Sequence, residues 1–285
     1  MFYAPFLATA DFNSRSERGR SVVTDRLFDM AFVRPPSDSY VECVSTNPRR
    51  NEIDLELAKE QHRQYVSTLK ECGVDVVEFP PLEDFPDSVF MQDPALLGSR
   101  VAIVGRFGEE KRRGEEKAFL AGLRNHGSKI GEIQVAREPG TLEGGDVLVT
   151  DHAIFVGESR RTSLNGIQQL AGYLKDCEVR SVKTDLLHLL CGCSYLSDRN
   201  MIIAPALVSP GSFPGFELVP LSIKEAYAAD ALYLGDGKVL IPSGFPKVNK
   251  KLKGAGYTAV EVEMSEFQKG DGGVTCLCSP VYKLF

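Results

Sequence analysis

The chain has 285 residues, 43% of them hydrophobic and 25% charged, a make-up that suits a soluble protein with a sizeable core. A net charge of −6 with no long basic run argues against nucleic acid as a partner, and no apolar run is long enough to span a bilayer. Seven cysteines cannot all pair within one chain, and the apolar start Met1–Leu7 lacks the basic residues of a signal peptide, so reduced thiols in the cytoplasm are expected.

The first 27 residues are polar and irregular and are expected to be a mobile N-terminal segment, with 13–20 as a loop or lid. Strands are predicted over 30–33 and 40–44. Asn51 caps a predicted helix that carries Leu55, Ala58, His62, Tyr65, Val66 and Leu69 at helical spacing. His62 lies within that stripe and reads as packing or helix surface. Gly73 ends the helix, and a strand over 74–79 stops at Pro80-Pro81.

The same order then recurs. Strands over 95–97 and 101–104 flank a turn at Gly98-Ser99, a helix follows over 114–126, and a strand over 133–135 closes the unit. Segments 143–149 and 153–156, a helix from Thr162-Ser163 and a strand near 179–182 repeat the pattern. The next unit, 188–196 and 201–204, has a shortened helix in a Pro- and Gly-rich stretch ending at Phe216. The last has strands over 231–234 and 239–241, a Lys-rich helix and a strand over 257–262. A period of roughly 45–50 residues marks a repeat architecture. The first unit lacks an opening strand, which the chain after Gly273 can supply, so that five units close a ring. A single domain over 1–285 follows.

Such a ring has a natural site where the opening strands meet. Cys276, His188, Asp93 and Glu143 each fall near the opening strand of a different unit. A cysteine and a histidine make a nucleophile–base pair, and two added carboxylates suit a planar guanidinium, to which they offer paired acceptors. Arg112 and Arg161, each at the start of a helix, then become anchors for a substrate carboxylate; Arg161 precedes a helix N-terminus, which favours an anion. Taken singly, Cys276 reads as a small buried hydrophobe, Asp93 and Glu143 as turn acids, and the arginines as solvated surface.

Asp87-Ser88-Val89-Phe90 with Asp93, Arg112-Arg113-Gly114-Glu115, Glu143-Gly144-Gly145-Asp146-Val147-Leu148, Arg161-Thr162, Leu187-His188-Leu189 and the segment from Asp271 to Cys276 resemble the dimethylarginine dimethylaminohydrolase family. The resemblance runs from about Ala31 to Ser279 and keeps motif order and spacing. It implies the α/β fold of the guanidino-group-modifying superfamily, a five-fold pseudosymmetric α/β-propeller (pentein). It implies Cys276 as nucleophile and His188 as general acid/base. Glu143 would orient His188 or contact the guanidinium, which Asp93 would bind. Asp87 would hold the substrate amino group, Arg112 and Arg161 its carboxylate, and Asp271 a further guanidino nitrogen or the backbone around the nucleophile. Gln92 departs from the pattern, since the family usually has Glu beside the Asp; it is expected to contact the guanidinium without charge and to shift substrate preference.

The implied reaction is hydrolysis of arginine or an N-methylated arginine to citrulline and an amine, through a covalent thiouronium on Cys276. No metal or organic cofactor is called for; the partner is a small guanidino compound, and a homodimer is compatible with the pattern. Arginine deiminase or amidinotransferase chemistry on the same core residues is the alternative. A non-catalytic pentein binding module would have no need of the four core residues. A four-thiolate zinc site from Cys191, Cys193, Cys276 and Cys278 competes too, although C-x-C is also what strand alternation gives.

Overall fold

The computed structural model describes residues 25–126 and 130–285. Fifteen short strands and five α-helices alternate along these residues. The strands are β1 (Phe28–Val33), β2 (Asp75–Glu78), β3 (Ala95–Gly98), β4 (Val101–Val104), β5 (Glu132–Val135), β6 (Val147–Val149), β7 (Ile154–Glu158) and β8 (Val179–Lys183). They continue as β9 (Cys193–Tyr195), β10 (Asn200–Ile203), β11 (Glu217–Pro220), β12 (Leu232–Gly235), β13 (Lys238–Pro242), β14 (Thr258–Val262) and β15 (Cys278–Tyr282). The helices are α1 (Leu55–Glu71), α2 (Glu115–Asn125), α3 (Leu164–Tyr173), α4 (Pro246–Gly254) and the short α5 (Ser265–Lys269).

One pairing scheme recurs five times. An antiparallel hairpin is followed by a third strand that pairs parallel with the second: β3-β4-β5, β6-β7-β8, β9-β10-β11 and β12-β13-β14. The fifth set draws on both ends of the chain. β15 pairs antiparallel with β1, placing Phe32 opposite Ser279, and β1 runs parallel to β2. The expected supply of an opening strand from the chain after Gly273 is therefore what the pairing gives. β15 also pairs parallel with β3, joining two sets into a six-stranded sheet. Each parallel step needs a crossover, which α1, α2, α3 and α4 provide in four sets. In the set with β10 and β11 the crossover holds only a 3-10 turn, Pro210–Ser212, as its Pro and Gly content suggested.

The opening strands are buried along their whole length, and residues of β3, β6, β12 and β15 join the main core with Val33, Leu69 and Leu277, while Cys193 and Tyr195 of β9 pack in a second cluster. No helix among the described residues is long and apolar enough to cross a membrane.

Several local expectations shift. The strand expected over 40–44 is a 3-10 turn, Asp38–Glu42, which buries the Tyr40 ring. The cap of α1 is Asp54, whose carboxylate accepts the Leu57 N–H at 3.1 Å, and not Asn51. His62 is buried on α1, and burial pushes its imidazole down to about 4, so it packs as a neutral ring. The expected N-terminal mobile segment and its loop lie outside the described residues except for 25–27. There Arg26 is buried, donating to the carbonyls of Cys72 at 2.8 Å and Leu234 at 3.2 Å, so that end of the segment is tied down.

Candidate active site

Strand ends build the site. Asp93 precedes β3, Glu143 a 3-10 turn (Gly144–Asp146) that leads into β6, and His188 a turn (Leu189–Cys191) that leads into β9; Cys276 stands just before β15. Asp87, Asp93, Arg112, Arg161, His188, Asp271 and Cys276 line one cleft. Glu143 lies behind it at 0% exposure, in contact with two of them.

The Glu143 carboxylate sets the histidine. Oε2 lies 2.8 Å from His188 Nε2 and accepts from Arg161 Nη1 at 3.3 Å, and Oε1 accepts the Gly108 N–H at 2.9 Å. His188 Nδ1 then faces Asp93, 3.7 Å from Oδ1. Burial opposes a charge on His188, but Asp93, the Glu143 hydrogen bond and Asp146 outweigh it and raise the imidazole to about 9. Burial likewise opposes a charge on Glu143, yet its bond to His188 holds it below the usual carboxylate range. Gly145 makes this approach feasible, since a Cβ there would stand 2.6 Å from Asp93 Oδ1 and 2.7 Å from His188 Nδ1. Asp146, given no role by the sequence, braces the loop: Oδ1 accepts the Leu189 N–H at 3.0 Å and Oδ2 the Ser159 hydroxyl at 2.7 Å.

Cys276 is 7% exposed and accepts the Gly273 N–H at its sulfur, 3.3 Å away. Burial, together with Asp230 and Asp93, pushes its thiol well above the ordinary value. The sulfur also lies 3.8 Å from Asp230 Oδ2. Sequence reasoning missed Asp230. The available signal was positional, because Asp230 stands before β12 as Asp93 stands before β3.

Arg112 is not the solvated surface residue that it resembles when taken singly. It is 3% exposed, with Nη1 on Asp93 Oδ2 at 2.6 Å, Nε and Nη2 on the Glu115 carboxylate at 3.0 and 2.8 Å, and Nη2 on the Asp87 carbonyl at 3.3 Å. Its guanidinium also lies 4.5 Å over the Phe107 ring. Four donor contacts commit it to holding Asp93 in place. Arg161 is less tightly held, with ion pairs to Glu143 at 3.3 Å and to Glu109 at 3.8 Å. Asp87 accepts the Val44 N–H, and Asp271 Oδ2 accepts from Ser45 Oγ, Thr46 N and Thr46 Oγ1 at 3.0, 2.6 and 3.0 Å. These two acids tie the 44–46 loop over the cleft.

Gln92 is not brought to the cleft. Its amide donates to the Gly144 carbonyl at 3.3 Å, and its side chain lines a separate cavity with Ser194, Thr275 and Tyr282. The expected contact with the guanidinium finds no support in this placement. Cys191, Cys193, Cys276 and Cys278 form no metal-ligand cluster; the close grouping of such side chains among the described residues is Asp93, Glu143 and His188.

Residues 37–204 match the family described as N,N dimethylarginine dimethylhydrolase, eukaryotic. An N(G),N(G)-dimethylarginine dimethylaminohydrolase of Pseudomonas aeruginosa is 35% identical over 254 residues, covering 88% of this chain and 98% of its own. An uncharacterized protein of Aeropyrum pernix is 41% identical over 267 residues, covering 91% and 98%. In structure, a mutant of the Pseudomonas aeruginosa enzyme complexed with citrulline superposes with a TM-score of 0.84 at 33% identity, covering 90% of this chain and 100% of that one. The chain belongs to the dimethylarginine dimethylaminohydrolase family.

Proposed function

We propose that the protein hydrolyses the guanidino group of arginine or N-methylated arginines to citrulline and an amine, with Cys276 as nucleophile. The observation that carries this reading is the meeting of Cys276, His188 and Asp93 in one buried cleft, with Glu143 on the histidine, in a chain of this family. The five recurrent three-strand sets support a five-fold pseudosymmetric propeller in which opening strands converge on that cleft. Its residues would act as one domain, and free cysteines fit a reducing, cytoplasmic setting.

A guanidinium carbon is a poor electrophile because its charge is delocalised. Asp93, held by Arg112, fixes the cation flat so that the sulfur meets its face, and positioning supplies much of the acceleration. Burial, reinforced by Asp230 and Asp93, keeps the thiol protonated. An arriving cation offsets the charge of Asp230 and Asp93 and favours the thiolate, whose proton is released to solvent because His188 already carries one. Attack gives a tetrahedral adduct on Cys276. His188, protonated at neutral pH, gives its proton to the departing amine and leaves the thiouronium. The neutral imidazole then takes a proton from water, which attacks the same carbon and releases the ureido product and the thiol. Arg161 binds the substrate carboxylate, and Asp87 its amino group.

Mass spectrometry of the ureido product and the released amine tests this, with arginine, the methylarginines and agmatine as substrates. Citrulline with dimethylamine or methylamine supports the reading as stated. Citrulline with ammonia alone makes the protein an arginine deiminase, and no ureido product from any of them refutes hydrolysis.

A further inference from the structure

Asp230 is 3% exposed and lies between a 3-10 turn (Ile223–Ala229) and β12. Its Oδ1 accepts the N–H of Thr275, the residue before the nucleophile, at 2.8 Å. Oδ2 faces the Cys276 sulfur at 3.8 Å. A thiol is a weak donor, so Oδ2 keeps most of its capacity to accept. Gly273 leaves this oxygen uncovered, because a Cβ there would strike it. Asp93 Oδ1 is also buried and has no hydrogen-bond partner among the described residues.

Asp230 Oδ2 therefore lies beside the sulfur with only a weak thiol donor on it, and Asp93, whose Oδ1 lacks a hydrogen-bond partner, lines the same cleft as Cys276. Leaving such atoms unpaired is costly, and a planar guanidinium offers N–H donors together with a compensating charge. The fold repeats the arrangement: Asp93, Asp230 and Cys276 each stand two residues before an opening strand, β3, β12 and β15. Asp230 also borders a cavity of about 490 Å³ lined by Cys191, Tyr227 and Leu186, which shares Leu187 and Asp271 with the Cys276 cleft.

Resting on the proposed guanidine chemistry, we infer that Asp230 is the second carboxylate of the guanidinium site, holding the cation over Cys276 together with Asp93. It takes the second contact with the guanidinium that the sequence offered to Gln92. The competing account is that Asp230 only caps the Thr275 N–H.

Asp230→Asn separates the two, because an amide oxygen still caps that N–H while the charge is gone. The full chain is assayed on arginine and dimethylarginine, and iodoacetamide labelling of Cys276 is followed with and without millimolar guanidinium chloride. Loss of one charge-assisted hydrogen bond should raise KM for guanidines by roughly tenfold or more at unchanged thermal stability. Guanidinium should slow labelling of Cys276 in the wild type and do so about tenfold less effectively in the variant. Wild-type KM and wild-type protection in Asp230→Asn, or no protection by guanidinium in either protein, overturn the inference. If the wild type turns over no guanidine yet guanidinium protects it and not the variant, the proposed hydrolysis fails and the Asp230 site stands.

Discussion

His188 Nε2 and Glu143 Oε2 lie 2.8 Å apart in the protein interior, and that contact fixes which ring nitrogen is left to face the cleft. Nδ1 is the free one, 3.7 Å from Asp93. Because Glu143 helps to raise His188 to about 9, the imidazole carries its proton at neutral pH and is suited to act first as an acid.

The sign of the pH dependence follows. The acid form of His188 is present below about 9 and is lost as pH rises through that value, so kcat should fall on the alkaline side there. Glu143→Gln removes one of the groups that raise the pKa, and the alkaline limb should move to lower pH with kcat reduced roughly 10²-fold. A pH–rate profile of both proteins checks this. An unmoved limb would mean that another group titrates.

Cys276→Ser should abolish turnover and leave the fold intact, since the change is nearly isosteric. Acid quenching of the wild type in steady state should trap substrate-derived mass on the peptide carrying Cys276. Cys278 should carry none, because it is 0% exposed and burial pushes its thiol up to about 12. Peptide mapping by mass spectrometry reads both.

The two arginines should separate. Arg112→Ala strips a buried charge from Asp93 and Glu115 and should destabilise the fold by about 3–5 kcal/mol, measured by denaturant unfolding. Arg161→Ala should leave stability nearly unchanged and raise KM for arginine far more than for agmatine, which lacks the carboxylate. Equal losses on both substrates would remove Arg161 from carboxylate binding.

The sequence reading has Gln92 contact the guanidinium and shift substrate preference, whereas its amide donates to the Gly144 carbonyl, and Gln92→Glu tests between the two. A carboxylate at 92 loses the donor to the Gly144 carbonyl and gains no cation, so the substitution should cost about 1–3 kcal/mol of stability. The ranking of arginine, monomethylarginine and dimethylarginine should stay as in the wild type. A changed ranking in a well-folded variant would bring residue 92 back to the substrate.

Much of this protein is written in local pattern. Short apolar strands ended by Gly, Asp and Pro, and helices with apolar stripes such as Leu55 to Leu69, announce themselves because the chain pays for backbone bends and buried faces with particular residue types. The order of these elements disclosed the recurrence, the missing opening strand, and the positions of Cys276, His188, Asp93 and Glu143 at strand entrances. Direction and company are different matters. Gln92 and Asp93 are neighbours in sequence, yet their side chains leave the backbone toward separate cavities. Arg112 looks like any cation at a helix start, and only the folded chain surrounds it with Asp93, Glu115 and Phe107. Asp230, in the alanine-rich run before β12, carries a positional signal and no motif. Its meaning comes from the sulfur of Cys276, 46 residues away along the chain, because contact between distant strand ends is decided by how sheets pack and not by what any one segment prefers.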